Sequence, residues 1–392
     1  MKERLSIETL RNGLIKNQVQ TKGWTLCIGA GTSDPVFPTW PELTQDIIQD
    51  MCPSITKQAS QKIVSQYNLD ALIQAAYNIR NVSSEEFAEY LSSKLYKKLQ
   101  QQISIDKWDR FCKIFTSTHS NAFEDTYWKE FIQTREELFK QTTAYALAKF
   151  IVKDCTQDNR PNAILSFNAE PLLYALINSF LRERVLGQEY KEPEMLDLMT
   201  TSIASHDKHK IPYYFCHGSL LSYVARSGDK RLHAASKLVF LENQYLQMSN
   251  STFSWQASTF LSQCTNSVLI FVGVSLSDSN MRKWLSWVQT ERNVDINETV
   301  NSTQHFWITK KPQDETIMIW MEAAVYHLGV RIIWINEWSE VTSVLKKIII
   351  GIEEPIDTKK QTVKKKTHDF QKDRKRTHKS HRQVRRKREV NG

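Results

Sequence analysis

Short apolar runs recur along the chain and alternate with longer stretches of helical periodicity. The runs lie at residues 24–28, 162–167, 211–216, 267–274, 305–309 and 330–335. Such runs indicate buried strands, and the helical patterns between most of them indicate crossover connections. Because parallel strands need crossovers, the pattern predicts an α/β fold with one mostly parallel sheet that is covered on both faces.

Two segments are predicted to be helical. Residues 5–19 have an amphipathic pattern ahead of the first strand. Residues 40–150 are helical with few strand-like runs, which predicts a large helical insertion at about 44–155, after the first strand and helix. The predicted organisation is one folded domain over residues 1–355, followed by a tail at 356–392.

The positive charge of the chain is concentrated at its carboxyl-terminal end. The net charge is +9, but residues 359–392 carry 15 Lys or Arg and three acidic residues, so the rest of the chain carries −3. With one aromatic residue and no apolar periodicity, residues 356–392 are predicted to be disordered. Such a tail can bind nucleic acid, bind an acidic partner protein, or only keep the protein soluble, and the residues leave these alternatives open.

Composition excludes several other classes of protein. The chain has 41% hydrophobic and 24% charged residues, an ordinary globular composition. No apolar run approaches the ~20 residues that a membrane span needs, and residues 1–16 do not resemble a signal peptide, so we expect a cytoplasmic protein without membrane contact. The six cysteines form no C-x-x-C pair, so we expect neither a disulfide framework nor a bound metal.

The first predicted strand runs into a glycine turn. The turn consists of Gly29, Ala30, Gly31, Thr32, Ser33 and Asp34. Glycines let a backbone approach a pyrophosphate closely, and the amino end of a following helix attracts the anion. The dinucleotide fingerprint of dehydrogenases would have a third glycine where Asp34 stands, which disfavours an ordinary oxidoreductase. A structural turn without a ligand remains the alternative.

The second predicted strand ends in an amide and a carboxylate. Asn168 could position a water molecule or a ribose hydroxyl, and Glu170 could bind a carboxamide or balance a cationic ring. Alternatively, these side chains only cap the helix that begins near Pro171.

Two further strand ends carry polar groups. His217 follows the run at 211–216 and could act as a general base near neutral pH, or be a structural histidine. Cys216 alternates to the other face of the strand, which argues against a Cys/His pair. The run at 267–274 opens into a Gly-x-Ser turn that could hold phosphate or ribose, with Asp278 as the cap of a helix in the alternative interpretation.

Taken in order, these segments resemble the sirtuin-like family. The resemblance is carried by the Gly-Ala-Gly-x-Ser turn at 29–33, the Phe-Pro-Thr-Trp-Pro-Glu-Leu segment at 37–43, Asn168, the His217 and Gly218 pair, residues 238–245 and the Gly-x-Ser-Leu-x-Asp run at 273–278. It covers roughly residues 20–345. Segments 37–43 and 273–278 look more like the NAD hydrolases of prokaryotic anti-phage defence than like the protein deacylases of the family.

This resemblance implies a Rossmann-like catalytic domain that uses NAD as its substrate, with Asn168 and His217 in catalysis. The residues expected to bind NAD are Gly29, Ala30, Gly31, Thr32, Ser33, Asp34, Trp40, Glu170, Gly273, Ser275 and Asn336, the last three towards the adenosine half. Two departures matter. Glu170 stands where the family usually has an aspartate, and the four zinc-binding cysteines of the deacylases are missing.

The sequence therefore predicts an NAD hydrolase that releases nicotinamide and ADP-ribose and acts in anti-phage defence. An NAD-dependent protein deacylase and a nucleotide sensor without turnover are the alternatives. We expect Gly31, Asn168 and His217 to converge on one pocket at the rim of the sheet. We also expect a homo-oligomer, and a partner protein of a defence system is a further possible ligand.

Overall fold

The computed structural model describes residues 4–10, 13–115, 125–188, 194–199, 207–220, 239–250, 254–295 and 305–351. The chain divides into two units, residues 1–351 and 352–392, and the second unit lies outside the described residues together with the predicted tail. The described strands are β1 (Leu5–Ser6), β2 (Trp24–Ile28), β3 (Ala163–Ser166), β4 (Leu196–Met199), β5 (Ile211–Phe215), β6 (Val268–Val272), β7 (His305–Lys310) and β8 (Val330–Ile335).

Helices flank these strands throughout the described part of the chain. They are α1 (Gly13–Lys22), α2 (Trp40–Met51), α3 (Lys57–Gln66), α4 (Leu69–Arg80), α5 (Ser84–Gln100), α6 (Ile105–Phe115), α7 (Asp125–Leu138), α8 (Thr143–Lys149), α9 (Leu172–Arg184), α10 (Glu242–Asn250), α11 (Trp255–Asn266), α12 (Ser279–Asp295), α13 (Glu315–Tyr326) and α14 (Val341–Leu345). Short 3₁₀ turns lie at Ala30–Thr32 and Trp338–Glu340, and π turns extend α8 and α14 over Phe150–Asp154 and Lys346–Ile350.

The strands form one sheet in the order β1-β8-β7-β6-β2-β3-β5-β4, and every pair is parallel. Strand β2 lies between β3, which follows it in the chain, and β6, which comes much later. The chain therefore leaves β2 to build first one half of the sheet and then the other. At such a reversal the connections on the two sides diverge and leave a crevice beyond the carboxyl ends of the strands.

Both faces of the sheet are covered by hydrophobic clusters, as the apolar runs predicted. Leu26 and Ile28 of β2 belong to one cluster, while Cys27 between them belongs to the other. This alternation follows from the two-residue period of a strand. No helix in the described ranges combines the length and the apolar character that a membrane span requires.

The six predicted strands and the mostly parallel sheet are confirmed, and two strands were not foreseen. Helix α1 begins only at Gly13, so the predicted helix over residues 5–19 is wrong at its start, where Leu5 pairs with Ile333 as strand β1. The edge of β8 offers unpaired backbone groups, and pairing satisfies them while it buries Leu5. Strand β4 was missed because its four residues form too short a run to give a pattern.

The helical block predicted between Trp40 and Phe150 is observed as helices α2 to α8, between β2 and β3. Helix α2 begins where the sequence favours a start. The backbone N–H of Thr39 donates to the Glu42 carboxylate at 2.8 Å, and Pro41 occupies the first turn. This start holds Trp40 near the glycine turn.

The glycine turn after β2 packs directly on the backbone after β6. The N–H of Gly29 donates to the Val272 carbonyl and that of Gly31 to the Gly273 carbonyl, both at 3.1 Å. A Cβ on Gly29 would lie 2.5 Å from the Gly273 oxygen, and a Cβ on Gly273 would lie 2.5 Å from the Thr32 nitrogen. Gly273 also has a φ of +66°. The two loops can touch because neither carries a side chain at the contact.

We predict that Gly273→Ala destabilises the protein well beyond the effect of backbone conformation alone. The positive φ contributes about 1 kcal/mol, and the collision with the Thr32 backbone adds a further ~1–3 kcal/mol of overpacking strain. The free energy of unfolding from urea titration measures the sum.

Gly187→Ala is the matched control for this substitution. Gly187 has a φ of +80°, but a Cβ there meets no heavy atom of the described residues within 4 Å. The control should therefore lose only the part of the unfolding free energy that comes from the positive φ. Equal losses in the two variants would mean that the contact between the loops is loose.

Candidate active site at the carboxyl edge of the sheet

The carboxyl ends of four neighbouring strands meet at one edge of the sheet. In the register of the sheet, Ile28 of β2 is paired with both Ser166 of β3 and Val272 of β6, and Ser166 is paired with Phe215 of β5. The residues that follow are therefore neighbours as well. This arrangement brings the glycine turn, Asn168, His217 and the run at 273–278 to the same rim.

Asn168 is the centre of a buried hydrogen-bonded group. Its side chain is 1% exposed, and its Nδ2 lies 2.8 Å from Glu170 Oε1, 3.2 Å from Thr32 Oγ1 and 3.3 Å from Ser33 Oγ. The Oδ1 atom of the same amide is buried and has no hydrogen-bond partner among the described residues. A buried acceptor without a donor is unfavourable by about 1–3 kcal/mol, so a donor placed against this oxygen would be stabilised by a hydrogen bond.

The carboxylate of Glu170 holds this group together. Its carboxylate accepts hydrogen bonds from Ser33 Oγ at 2.5 Å, from Asn168 and from the backbone N–H of Leu172 in the first turn of α9. Burial raises the pKa of Glu170 to about 7, and the three donors oppose that rise. Glu170 thus accepts a hydrogen bond at the start of α9, as the helix-cap alternative predicted. It also holds the Asn168 side chain.

A cleft adjoins the group, and the space between its walls, open solvent included, is about 290 Å³. The part of it that a water molecule can occupy is about 10 Å³, roughly room for one water. Its walls are mainly apolar, and its polar atoms come from the group around Asn168. The lining residues are Ala30, Ser33, Phe37, Pro38, Trp40, Leu43, Leu95, Asn168, Ala169 and Glu170.

His217 lies at the same rim but in a different set of contacts, and it is not among the residues that line the cleft. Tyr245 Oη lies 2.9 Å from each nitrogen of the His217 ring, and Asp278 Oδ2 lies 3.5 Å from His217 Nε2. The ring of Phe167 packs edge-on against it, with centroids 5.2 Å apart. Burial lowers the pKa of His217, an effect that the Asp278 charge partly offsets.

The remaining predicted binding residues lie outside the cleft. Gly29 and Gly31 face the backbone of Gly273. Three others are exposed: Asp34, Ser275, whose hydroxyl is 2.6 Å from that of Ser277, and Asn336, whose backbone N–H donates to Glu340. The structure thus brings Ala30, Ser33, Trp40, Asn168 and Glu170 to one cleft, with Thr32 in contact with Asn168, and leaves Gly31 and His217 outside the lining of this cleft. The roles of all these residues stay predictions.

Several residues of the site were not predicted as site residues. Leu95, which gave no signal in the sequence, reaches the cleft from α5 in the middle of the inserted block. Phe37 and Leu43, which complete the walls, were noticed only as the ends of the motif at 37–43. Tyr245 was noticed only as the end of a motif, although its hydroxyl contacts His217. The strand-end pattern could not locate these residues because helices bring them in.

No cluster of three or more His, Cys, Asp or Glu side chains in the described segments is arranged to hold a metal ion. All six cysteines are free thiols.

Comparison with known protein families places this geometry in context. Residues 176–328 match the model of the SIR2-like domain. The matched stretch includes His217, Tyr245 and the run at 273–278, whereas the glycine turn and Asn168 precede it. No curated protein sequence matches the chain significantly. SIR2-like domains are typically NAD-dependent enzymes, which supports an NAD-related function here. Residues 176–328 are therefore similar to a SIR2-like domain, which supports the sirtuin-like resemblance that the order of the motifs indicated.

Proposed function

We propose that this protein hydrolyses NAD to nicotinamide and ADP-ribose. The observation that carries the proposal is the Asn168 amide at the cleft: three neighbours fix its Nδ2, and its buried Oδ1 has no partner in the described part of the chain. An acceptor held in this way can orient a water molecule or a ribose hydroxyl. Positioning of this kind is a large part of catalysis by displacement.

In the proposed reaction, the bond between C1′ of the ribose and the nicotinamide nitrogen breaks. The electron pair leaves with nicotinamide, which is neutral and needs no protonation. Water forms the new bond to C1′ and releases one proton. Asn168 Oδ1 accepts a hydrogen bond from this water, and His217, neutral near pH 7 because burial lowers its pKa, takes the proton.

The walls of the cleft suit the nicotinamide end of the substrate. Trp40, which is half-buried, offers aromatic surface to a planar ring, and its ring also packs on Phe240 with centroids 5.1 Å apart. The carboxylate of Glu170 borders the cleft, and its ionised form, which gains weight as the pH rises through about 7, stabilises the cation-like ribose that forms as nicotinamide leaves. A carboxamide could also hydrogen-bond with this carboxylate.

Depletion of cellular NAD in anti-phage defence is the biological role that we propose. It is supported by the resemblance of segments 37–43 and 273–278 to defence NAD hydrolases. The absence of a C-x-x-C pair from the sequence favours hydrolysis over zinc-supported deacylation. The same proposal includes a cytoplasmic location and a homo-oligomeric state. It also includes two partners: a protein of a defence system, and nucleic acid bound through the basic tail.

We predict that purified protein converts NAD to nicotinamide and ADP-ribose, and that Asn168→Ala slows this conversion at least about 100-fold, the effect expected for a group that acts in the transition state. The assay separates the products by chromatography, with and without a DNA fragment as a ligand of the tail. Circular dichroism checks that the variant is folded.

Asn78→Ala is the control, because Asn78 is an exposed asparagine of α4 away from the cleft. It should hydrolyse NAD at the parental rate. The proposal fails if Asn168→Ala consumes NAD as fast as the parent. Product formation only with an acyl-lysine peptide would identify a deacylase, and NAD binding without product would identify a sensor.

The pH dependence of stability gives a separate test of the buried group. The pKa of Glu170 is raised to about 7 in the folded protein from an ordinary value of 4.5, so the folded state holds this proton more tightly than the unfolded state. Its contribution to stability is complete below pH 4.5 and is lost as the pH rises through 7. The loss is up to about 3 kcal/mol.

We therefore predict that the parent loses more stability between pH 5 and pH 8 than Glu170→Gln does. Urea titrations at several pH values measure both slopes. Asp70, whose pKa burial raises to about 6, contributes to both slopes and cancels in the difference. Parallel slopes would show that Glu170 is ionised throughout this range.

A further inference from the structure

The imidazole of His217 is enclosed by groups that have no assigned role. They lie in three separate parts of the fold: Tyr245 is on α10, Asp278 is in the loop before α12, and Phe167 directly follows β3. We propose that Tyr245 and Asp278 are positioning residues that hold the His217 ring and keep its proton on Nε2. This inference rests on the proposed function for its catalytic meaning, but its structural content can be tested alone.

The carboxylate of Asp278 is held in place by the helix that follows it. Its Oδ1 accepts the backbone N–H groups of Asn280 at 2.8 Å and Met281 at 3.1 Å. These bonds leave Oδ2 to face the other way, 3.3 Å from Tyr245 Oη and 3.5 Å from His217 Nε2. Asp278 therefore caps α12, as the alternative interpretation of this residue predicted. The cap directs the other carboxylate oxygen, Oδ2, towards His217.

Tyr245 is also fixed by its surroundings. The side chain of Gln244 accepts the N–H groups of Phe240 and Leu241 at the start of α10, and the backbone N–H of Val239 donates to the carbonyl of His217 at 3.0 Å. The segment that leads into Tyr245 is thus hydrogen-bonded to the backbone of His217. The phenol faces the edge of the ring that carries both nitrogens.

The position of the charge decides between the two neutral forms of the ring. An unprotonated Nε2 would direct its lone pair at the Asp278 carboxylate, which is electrostatically unfavourable. A proton on Nε2 faces that charge favourably and can be donated to Tyr245 Oη at 2.9 Å, while the hydroxyl of Tyr245 donates to Asp278 Oδ2 at 3.3 Å. Nδ1 then keeps the lone pair that takes the proton in the proposed reaction. The partner of one ring nitrogen sets the state of the other in this way in many histidine sites.

Other titratable groups lie around this arrangement. Asp278 also interacts electrostatically with Cys216 and with Asp70 of α4, and Glu242 of α10 interacts with Asp70. Asp278 is the charge that acts on the His217 ring itself. Because α4 belongs to the inserted helical block, this block interacts with Asp278 through Asp70, and with α10 through the Asn243 N–H, which donates to Gln74 Oε1 at 3.5 Å.

The test compares Tyr245→Phe and Asp278→Asn with the full-length parent by NMR of ¹⁵N-labelled histidines, with His217→Gln used to assign the His217 signals. We expect the parent ring to carry its neutral-state proton on Nε2. Asp278→Asn should lower the pKa of His217, because it removes the negative charge that favours the imidazolium. Tyr245→Phe should raise the fraction with the proton on Nδ1.

Tyr90→Phe is the matched control. It removes a tyrosine–aspartate hydrogen bond of the same kind, from Tyr90 Oη to Asp50 at 2.9 Å, within the inserted block. It should leave the His217 signals unchanged. In the NAD assay, Tyr245→Phe and Asp278→Asn should lower kcat about tenfold or more, as for loss of one charge-assisted hydrogen bond, with KM within about twofold.

The inference is overturned if both variants leave the His217 tautomer and pKa as they are in Tyr90→Phe. It is also overturned if the ring signals change but kcat of an active parent does not. If the parent does not cleave NAD, the proposed function fails, and the NMR titration decides the positioning role by itself. Asparagine keeps the capping oxygen of Asp278, so a folding defect is not expected, and Tyr245→Phe provides an independent readout.

Discussion

The contact between the glycine turn and Gly273 is the constraint on which the site depends. Two backbone hydrogen bonds of 3.1 Å join these loops, and a Cβ on Gly29 or Gly273 would collide with the opposite backbone. The contact closes the rim between β2 and β6. As a result, Thr32 and Ser33 stand on the side of β3, where Asn168 and Glu170 receive them.

The buried polar group at that rim combines two opposing effects. Desolvation raises the pKa of Glu170 to about 7, whereas its hydrogen bonds with Ser33, Leu172 and Asn168 favour the ionised form. This balance keeps the carboxylate hydrogen-bonded to its neighbours with a pKa near neutrality. Asn168 belongs to the same group: its Nδ2 has three neighbours, whereas its buried Oδ1 has no hydrogen-bond partner among the described residues.

The inserted helices form part of the cleft. Trp40, Leu43 and Leu95 supply one wall of the cleft, and α4 brings Asp70 close to the charge beside His217. Any displacement of these helices would therefore change both the cleft and the surroundings of the histidine. This gives a physical route by which a partner of the helical block could act on the site.

The sequence by itself determined the fold class, six of the strands, the helical block and the strand-end residues, because apolar runs and glycine turns are local and parallel strands bring their carboxyl ends together. It could not determine that Leu5 extends the sheet or that Leu95 lines the cleft. It also could not separate the surroundings of Asn168 from those of His217, or place Tyr245 beside the histidine. Only the tertiary structure decided these points, since they depend on packing between segments distant in the chain, and local periodicity carries no information about such contacts.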